Sequence, residues 1–146
     1  MKVLFLDIDG VLNKMNTRDV FYEGGHMYTN LDQALVNRFR RWLEDKEDLN
    51  IVLSSTWRFY PKTRKILNDE GIFWEGVTPI NRSRGMEIHE WLLAQEGPIS
   101  EVAIIDDNPN MWPVGRYFVQ TSETHGLLDK HLKRLDKLLG YAAPDK

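Results

Sequence analysis

The sequence predicts a parallel α/β sheet covered by helices, and three observations carry that expectation. Apolar runs of strand length recur along the 146 residues. Segments with helical spacing separate them. Three of the runs are apolar almost without alternation, as strands covered on both faces must be. Strand and helix therefore alternate, and right-handed crossovers between parallel strands are the economical way to connect them.

The elements follow in order. KVLFLD (2–7) is the first strand candidate, and it runs directly into Asp7, Asp9 and Gly10. Residues 13–29 show no clear period and are expected to form a flap or irregular loop, a length of loop that is usually functional. Asn30 then precedes Leu31, Ala34, Leu35, Phe39, Trp42 and Leu43 at helical spacing, with Gln33 placed for a capping box. NIVLSS (50–55) is the second strand, and a helix over 62–70 ends at Gly71, a natural terminating residue. GIFWEG (71–76) is a weaker strand candidate. The spacing of Ile88, Trp91 and Leu92 predicts a helix over 84–95 that stops before Gly97-Pro98. EVAIID (101–106) and RYFVQT (116–121) are further strands, and Leu128, Leu132, Leu135 and Leu139 form the stripe of a last helix. Residues 1–140 read as one domain and YAAPDK (141–146) as a frayed tail.

Composition narrows the function classes. Hydrophobic content of 42% and charged content of 28% suit a globular chain, and a net charge of −3 argues against a general nucleic-acid coat while leaving a local basic groove open. The absence of cysteine excludes disulfides, thiolate metal sites and a Cys nucleophile. His26, His89, His125 and His131 lack metal-ligand spacing, and there is no phosphate-binding P-loop. Trp57, Trp74, Trp91 and Trp112 read as core or rim packing. The apolar start is too short and too acidic for a signal peptide, and no run reaches membrane-spanning length, so a soluble, cytoplasmic protein with no membrane partner is expected. Oligomeric state is left open.

In open α/β sheets ligands sit beyond the carboxyl ends of the strands. Here those ends carry Asp7, Ser54-Ser55 and Asp106-Asp107. Alternation points Asp7 and Asp9 the same way and turns Ile8 towards the core, and Gly10 lets the backbone leave. Each motif alone has a plain alternative: an Asp-Gly turn, an Asx turn at Asp107-Asn108, a Ser/Thr turn, a solvated Arg58, Arg82 or Arg84. An EF-hand reading fails, since Gly10 at its sixth position would put Phe5 at the first. Taken together, Asp7, Asp9, Asp106 and Asp107 are four hard oxygen donors, which favours Mg²⁺ over zinc. The turn after residue 53 offers hydroxyls and N–H groups to phosphate oxygens, with Arg58 as a candidate substrate contact.

In this order, DIDGV, a strand-end serine, a basic residue opening a later helix, and DD after another strand resemble the four motifs of the haloacid dehalogenase superfamily over residues 3 to about 110. DIDGVLN with SSTWR and VQTSETHGLL is similar, more narrowly, to the phosphatase domains associated with RNA-repair proteins. The resemblance implies a Rossmann-like sheet of order 3-2-1-4-5 with helices on both faces. It implies Asp7 as nucleophile, Asp9 as acid/base, Ser54 (or Ser55) on the phosphoryl group, Arg84 in the usual lysine position, and Asp106 and Asp107 among the Mg²⁺ ligands. An arginine there keeps the charge and changes the reach. The intervals from Gly10 to the second strand and from Arg58 to Arg84 are too short for a separate cap domain, so an open site is expected. The implied activity is phosphomonoester hydrolysis, on a nucleotide or a 3′- or 5′-phosphorylated nucleic-acid end, with a phosphoprotein or small metabolite as alternatives. Phe21, Tyr22 and Tyr28 of the flap either stack on a base or pack inward. A receiver domain or a silent phosphate-binding module are the non-enzymatic alternatives; a receiver's phosphoacceptor lies on a central later strand, where this chain has serines.

Overall fold

A computed structural model describes residues 1–141. Five strands form one sheet: β1 (Lys2–Leu6), β4 (Leu49–Leu53), β5 (Gly76–Val77), β6 (Glu101–Asp106) and β7 (Phe118–Gln120). Two more, β2 (Val20–Glu23) and β3 (His26–Thr29), pair antiparallel as a hairpin that occupies much of the expected flap. The helices are α1 (Gln33–Leu43), α2 (Pro61–Asp69), α3 (Arg84–Leu93) and α4 (Asp129–Leu138). The sheet runs β5-β4-β1-β6-β7, every pair parallel, which is 3-2-1-4-5 when only its own strands are numbered.

β1 lies at the centre with Val3, Leu4, Phe5 and Leu6 all inaccessible to solvent, which explains its unbroken apolarity. Leu4 and Leu6 face a large core with Val36 and Phe39 of α1, Leu67 of α2 and Leu135 of α4. Val3 and Phe5 face a smaller one built on Ile88 of α3, with Met111 and Val114. The ring of Trp91 meets Phe5 edge-on at 5.4 Å.

Three local expectations are corrected. The cap of α1 is Asp32, whose carboxylate accepts from the Ala34 and Leu35 N–H groups, and not Asn30. GIFWEG is mostly loop, because the Glu75 carboxylate accepts the Ile51 N–H at 2.7 Å and pairing as a strand begins only at Gly76. Tyr141 is not frayed: its hydroxyl donates to Asp48 at 2.8 Å and its ring lies 4.0 Å from the Lys2 ammonium. The remaining tail, 142–146, lies outside the described residues. Among the described residues no helix is long and apolar enough to cross a membrane.

Asp32→Ala should cost about 1 kcal/mol of stability in urea denaturation, whereas Asn30→Ala should change the midpoint little.

Candidate active site

The register builds the site. Leu6 pairs with Leu53 on one side and with Ile105 on the other, so the next residues, Asp7, Ser54 and Asp106, emerge side by side. Two hydrogen bonds carry the ladder past the strand end: Ser54 N–H to Leu6 O at 3.0 Å, and Asp7 N–H to Ile105 O at 3.1 Å. Carboxylate oxygens of Asp7, Asp106 and Asp107 lie within 4.8 Å of one another. Gly10 makes this approach possible. Its φ of +79° suits glycine, and a Cβ there would overlap the Asp107 carboxylate.

Arg84, the first residue of α3, reaches into the cluster. Its Nη1 lies 3.1 Å from Asp7 Oδ1 and 2.7 Å from Asp106 Oδ2. Gly85 leaves room for the helix start, since a Cβ would overlap the Trp112 carbonyl. Burial opposes the Arg84 charge, but Asp7, Asp106 and Glu87 outweigh it and push its pKa up.

One guanidinium does not balance three acids. Burial, then the Asp7 charge, push Asp106 up to about 9 against the pull of Arg84. The same two causes push Asp107 up to about 6. The protons belong to the cluster as a whole. Such a group takes up either protons or a cation. Three oxygen donors without nitrogen or sulfur fit a hard divalent ion such as Mg²⁺.

Asp9 stands apart. It was expected among the metal ligands, but its carboxylate is not in the three-acid group, and its Oδ1 accepts from Asn13 Nδ2 at 2.9 Å and Trp57 Nε1 at 3.1 Å. Burial pushes its pKa up; the Asn13 bond opposes this, the Asp7 charge adds to it and the Trp57 bond opposes it again. The balance is upward, which favours a carboxyl able to donate a proton. Asn13 also donates to Thr29 O at 3.0 Å and accepts from Gly10 N–H at 2.9 Å, tying the acidic turn to the hairpin.

The two serines part company. Ser55 Oγ caps the 3-10 turn Thr56–Phe59 by accepting the Trp57 N–H at 3.2 Å. Ser54 Oγ is fully buried and has no hydrogen-bond partner, a condition it shares among the described residues with Thr78 Oγ1.

Arg58 is not a substrate contact. It is 5% exposed, and its donors are spent on protein: Nε on Thr78 O, Nη1 on Ser54 O and Ser55 O, Nη2 on Pro79 O and Glu87 Oε2. Glu87 in turn places Oε1 3.5 Å from Arg84 Nε. Arg58 therefore fixes the serine turn and, through Glu87, the arginine that meets the acids. Arg82 is exposed, and its backbone N–H is taken by the Asn81 side chain.

Sequence reasoning passed over Asn13, Trp57 and Glu87 as functional residues. Asn13 carried a usable signal, an amide four residues after Asp9. The links from Trp57 to Asp9 and from Glu87 to Arg58 each span tens of residues and left none.

A family model described as the HAD domain in Swiss Army Knife RNA repair proteins matches residues 3–132. The solved structure of a hypothetical protein from Xanthomonas campestris is similar at a TM-score of 0.52 and 16% identity, over 95% of this chain and 82% of that one. That likeness shows the fold. No curated protein matches the chain.

Two predictions follow from the buried charges. Folded-state pKa values raised above the ordinary 3.8 mean that the acids favour folding at low pH and cease to do so as pH rises through about 6 and about 9. In chelator, the melting temperature of the protein should fall relative to that of Asp107→Asn between about pH 5 and about pH 8, and Mg²⁺ should raise it more at the higher pH. A melting temperature indifferent to Mg²⁺ at both pH values would count against the cluster as a cation site. Arg58→Ala takes from Glu87 the nearer of its two arginines and from four backbone carbonyls a donor, and should cost about 3–5 kcal/mol in urea denaturation, with Arg58→Lys restoring little because one ammonium cannot span the same acceptors.

Proposed function

Because the chain belongs to the HAD domains found in Swiss Army Knife RNA repair proteins, we propose that it is a phosphomonoester hydrolase working through an aspartyl phosphate, an acyl phosphate of Asp7. The observation that carries this reading is the row of Asp7, Ser54 and Asp106 with Arg84 against both acids. In this reading Asp7 is the nucleophile, Arg84 at the start of α3 offsets charge, and the unpartnered Ser54 hydroxyl meets the phosphoryl group.

Asp7, Asp106 and Asp107 are the residues that would hold Mg²⁺. When bound, the ion supplies positive charge that offsets the repulsion between a phosphate dianion and the Asp7 carboxylate. Arg84 adds to that charge from the protein side, and the Ser54 hydroxyl donates to a phosphoryl oxygen. An Asp7 oxygen attacks phosphorus, forming the P–O bond to Asp7 as the bond to the leaving oxygen breaks. Asp9 gives its proton to that oxygen, and the alcohol departs. The Asp9 carboxylate then takes a proton from water; the resulting hydroxyl attacks phosphorus, the bond to Asp7 breaks, and inorganic phosphate leaves. Trp57 and Asn13 hold Asp9 in place for both transfers.

The substrate in this proposal is a nucleotide or a phosphorylated nucleic-acid end, in keeping with a family known from RNA repair proteins. The hairpin and the short interval before α3 leave no separate domain over the acids, which suits a substrate attached to something large.

Asp7→Asn should bring Mg²⁺-dependent turnover down to background and abolish phosphate retained on the protein after a rapid quench. Asp9→Asn should slow hydrolysis by about 10²–10⁴-fold for alkyl phosphates and much less for p-nitrophenyl phosphate, whose leaving group needs no proton. Full activity of the Asp7 variant would overturn the nucleophile assignment. Phosphate retained without release would mark a binding module instead of an enzyme.

A further inference from the structure

We infer that the hollow between the hairpin and the Thr56–Phe59 turn is a leaving-group subsite for a planar aromatic ring, the base of a nucleotide ester. The inference rests on the phosphatase reading and deepens it. Asp9 sits between two hollows, of about 290 and 330 Å³, that also share Met27 and Tyr28. As the proton donor to the leaving oxygen, Asp9 marks the side on which the leaving group must lie.

The two hollows differ in chemistry. The larger is walled by Asp107 and Glu123 as well as Asp9, with Lys14 as its only cation, so a further phosphate of a nucleotide chain is disfavoured there. The smaller adds Thr56, Phe59 and Tyr60, and Asp9 is its only acid. At about 290 Å³ it lies at the small end of ligand sites, enough for one ring system and not for an oligomer.

Its walls are fixed before any ligand arrives. Gly24, at the hairpin tip with φ +57°, lets the backbone settle on the Tyr60 ring, where a Cβ would overlap it. Tyr28 meets Tyr60 edge-on at 6.4 Å and Trp57 at 5.8 Å, while Phe21 stacks on Tyr28 at 5.4 Å. Tyr28 is thus a packed wall of the hollow with Phe21 stacked on it, and Tyr22, 67% exposed, does not line it. The surfaces left for a ligand are Phe59, 41% exposed with the Arg58 guanidinium at 4.4 Å from its ring, and Met27, 61% exposed. An aromatic face and a thioether beside a proton donor are what a base-bearing alcohol would use.

The test compares kcat/KM for adenosine 3′- and 5′-monophosphates with that for ribose 5-phosphate, in Mg²⁺, for the full chain. Wild type should prefer at least one adenosine ester by about tenfold or more. Phe59→Ala and Met27→Ala should each remove most of that preference, and Leu93→Ala, exposed on α3 and outside the hollow, should keep it. Equal turnover of the adenosine and ribose esters, or a preference untouched in both cleft variants, overturns the subsite and leaves the phosphatase reading intact. No turnover of any of these esters or of p-nitrophenyl phosphate overturns the phosphatase reading, and the subsite with it.

Discussion

The crowding of Asp7, Asp106 and Asp107 against a single guanidinium is the constraint from which the rest of the site follows. Three carboxylates in partly buried surroundings repel, and Arg84 is too little charge to hold them. The chain nevertheless spends its most buried strands on bringing them together. β1 and β6 are solid apolar ribs whose register leaves no freedom in where their ends fall. Stability made in the core is thereby used to impose an arrangement that is unfavourable until a counter-charge arrives.

Around that cluster a second group of charges does purely mechanical work. Arg58 and Glu87 are buried and paired, the guanidinium donating to backbone carbonyls and the carboxylate accepting from Arg58 and the Asn81 N–H, and between them they set both the serine turn and the position of Arg84. The division is a physical one. A guanidinium with its N–H groups already engaged has nothing to offer a phosphate, whereas Nη1 of Arg84 lies against Asp7 and Asp106, two carboxylates that a cation can claim. Two arginines, equal on paper, end up as bracket and reagent.

That distinction explains what could be read from the sequence. The parallel sheet and the meeting of Asp7 with Asp106 were legible because strand ends in an open sheet must share an edge, and apolar runs announce their own ends; the strand order came only with the family resemblance. Arg58 was misread because its partners are carbonyls of Ser54, Ser55, Thr78 and Pro79, and no residue type advertises a backbone oxygen. Asp32 and Asn30 are equally able caps two residues apart, so only the course of the chain chooses between them. Glu75 meets the Ile51 N–H with its side chain while its own N–H donates to the Ile51 carbonyl, an arrangement composition cannot foretell. The aromatic flap was legible as a pair of alternatives, and for two of its rings the inward one holds: Phe21 and Tyr28 pack against Trp57, while Tyr22 is left exposed.

Asn13 joins two things that need not have been joined. One amide group grips the Asp9 carboxylate and the last carbonyl of the hairpin. The aim of the proton donor and the seat of the hairpin are therefore one geometric setting: where the end of the hairpin rests decides where the Asp9 carboxylate points.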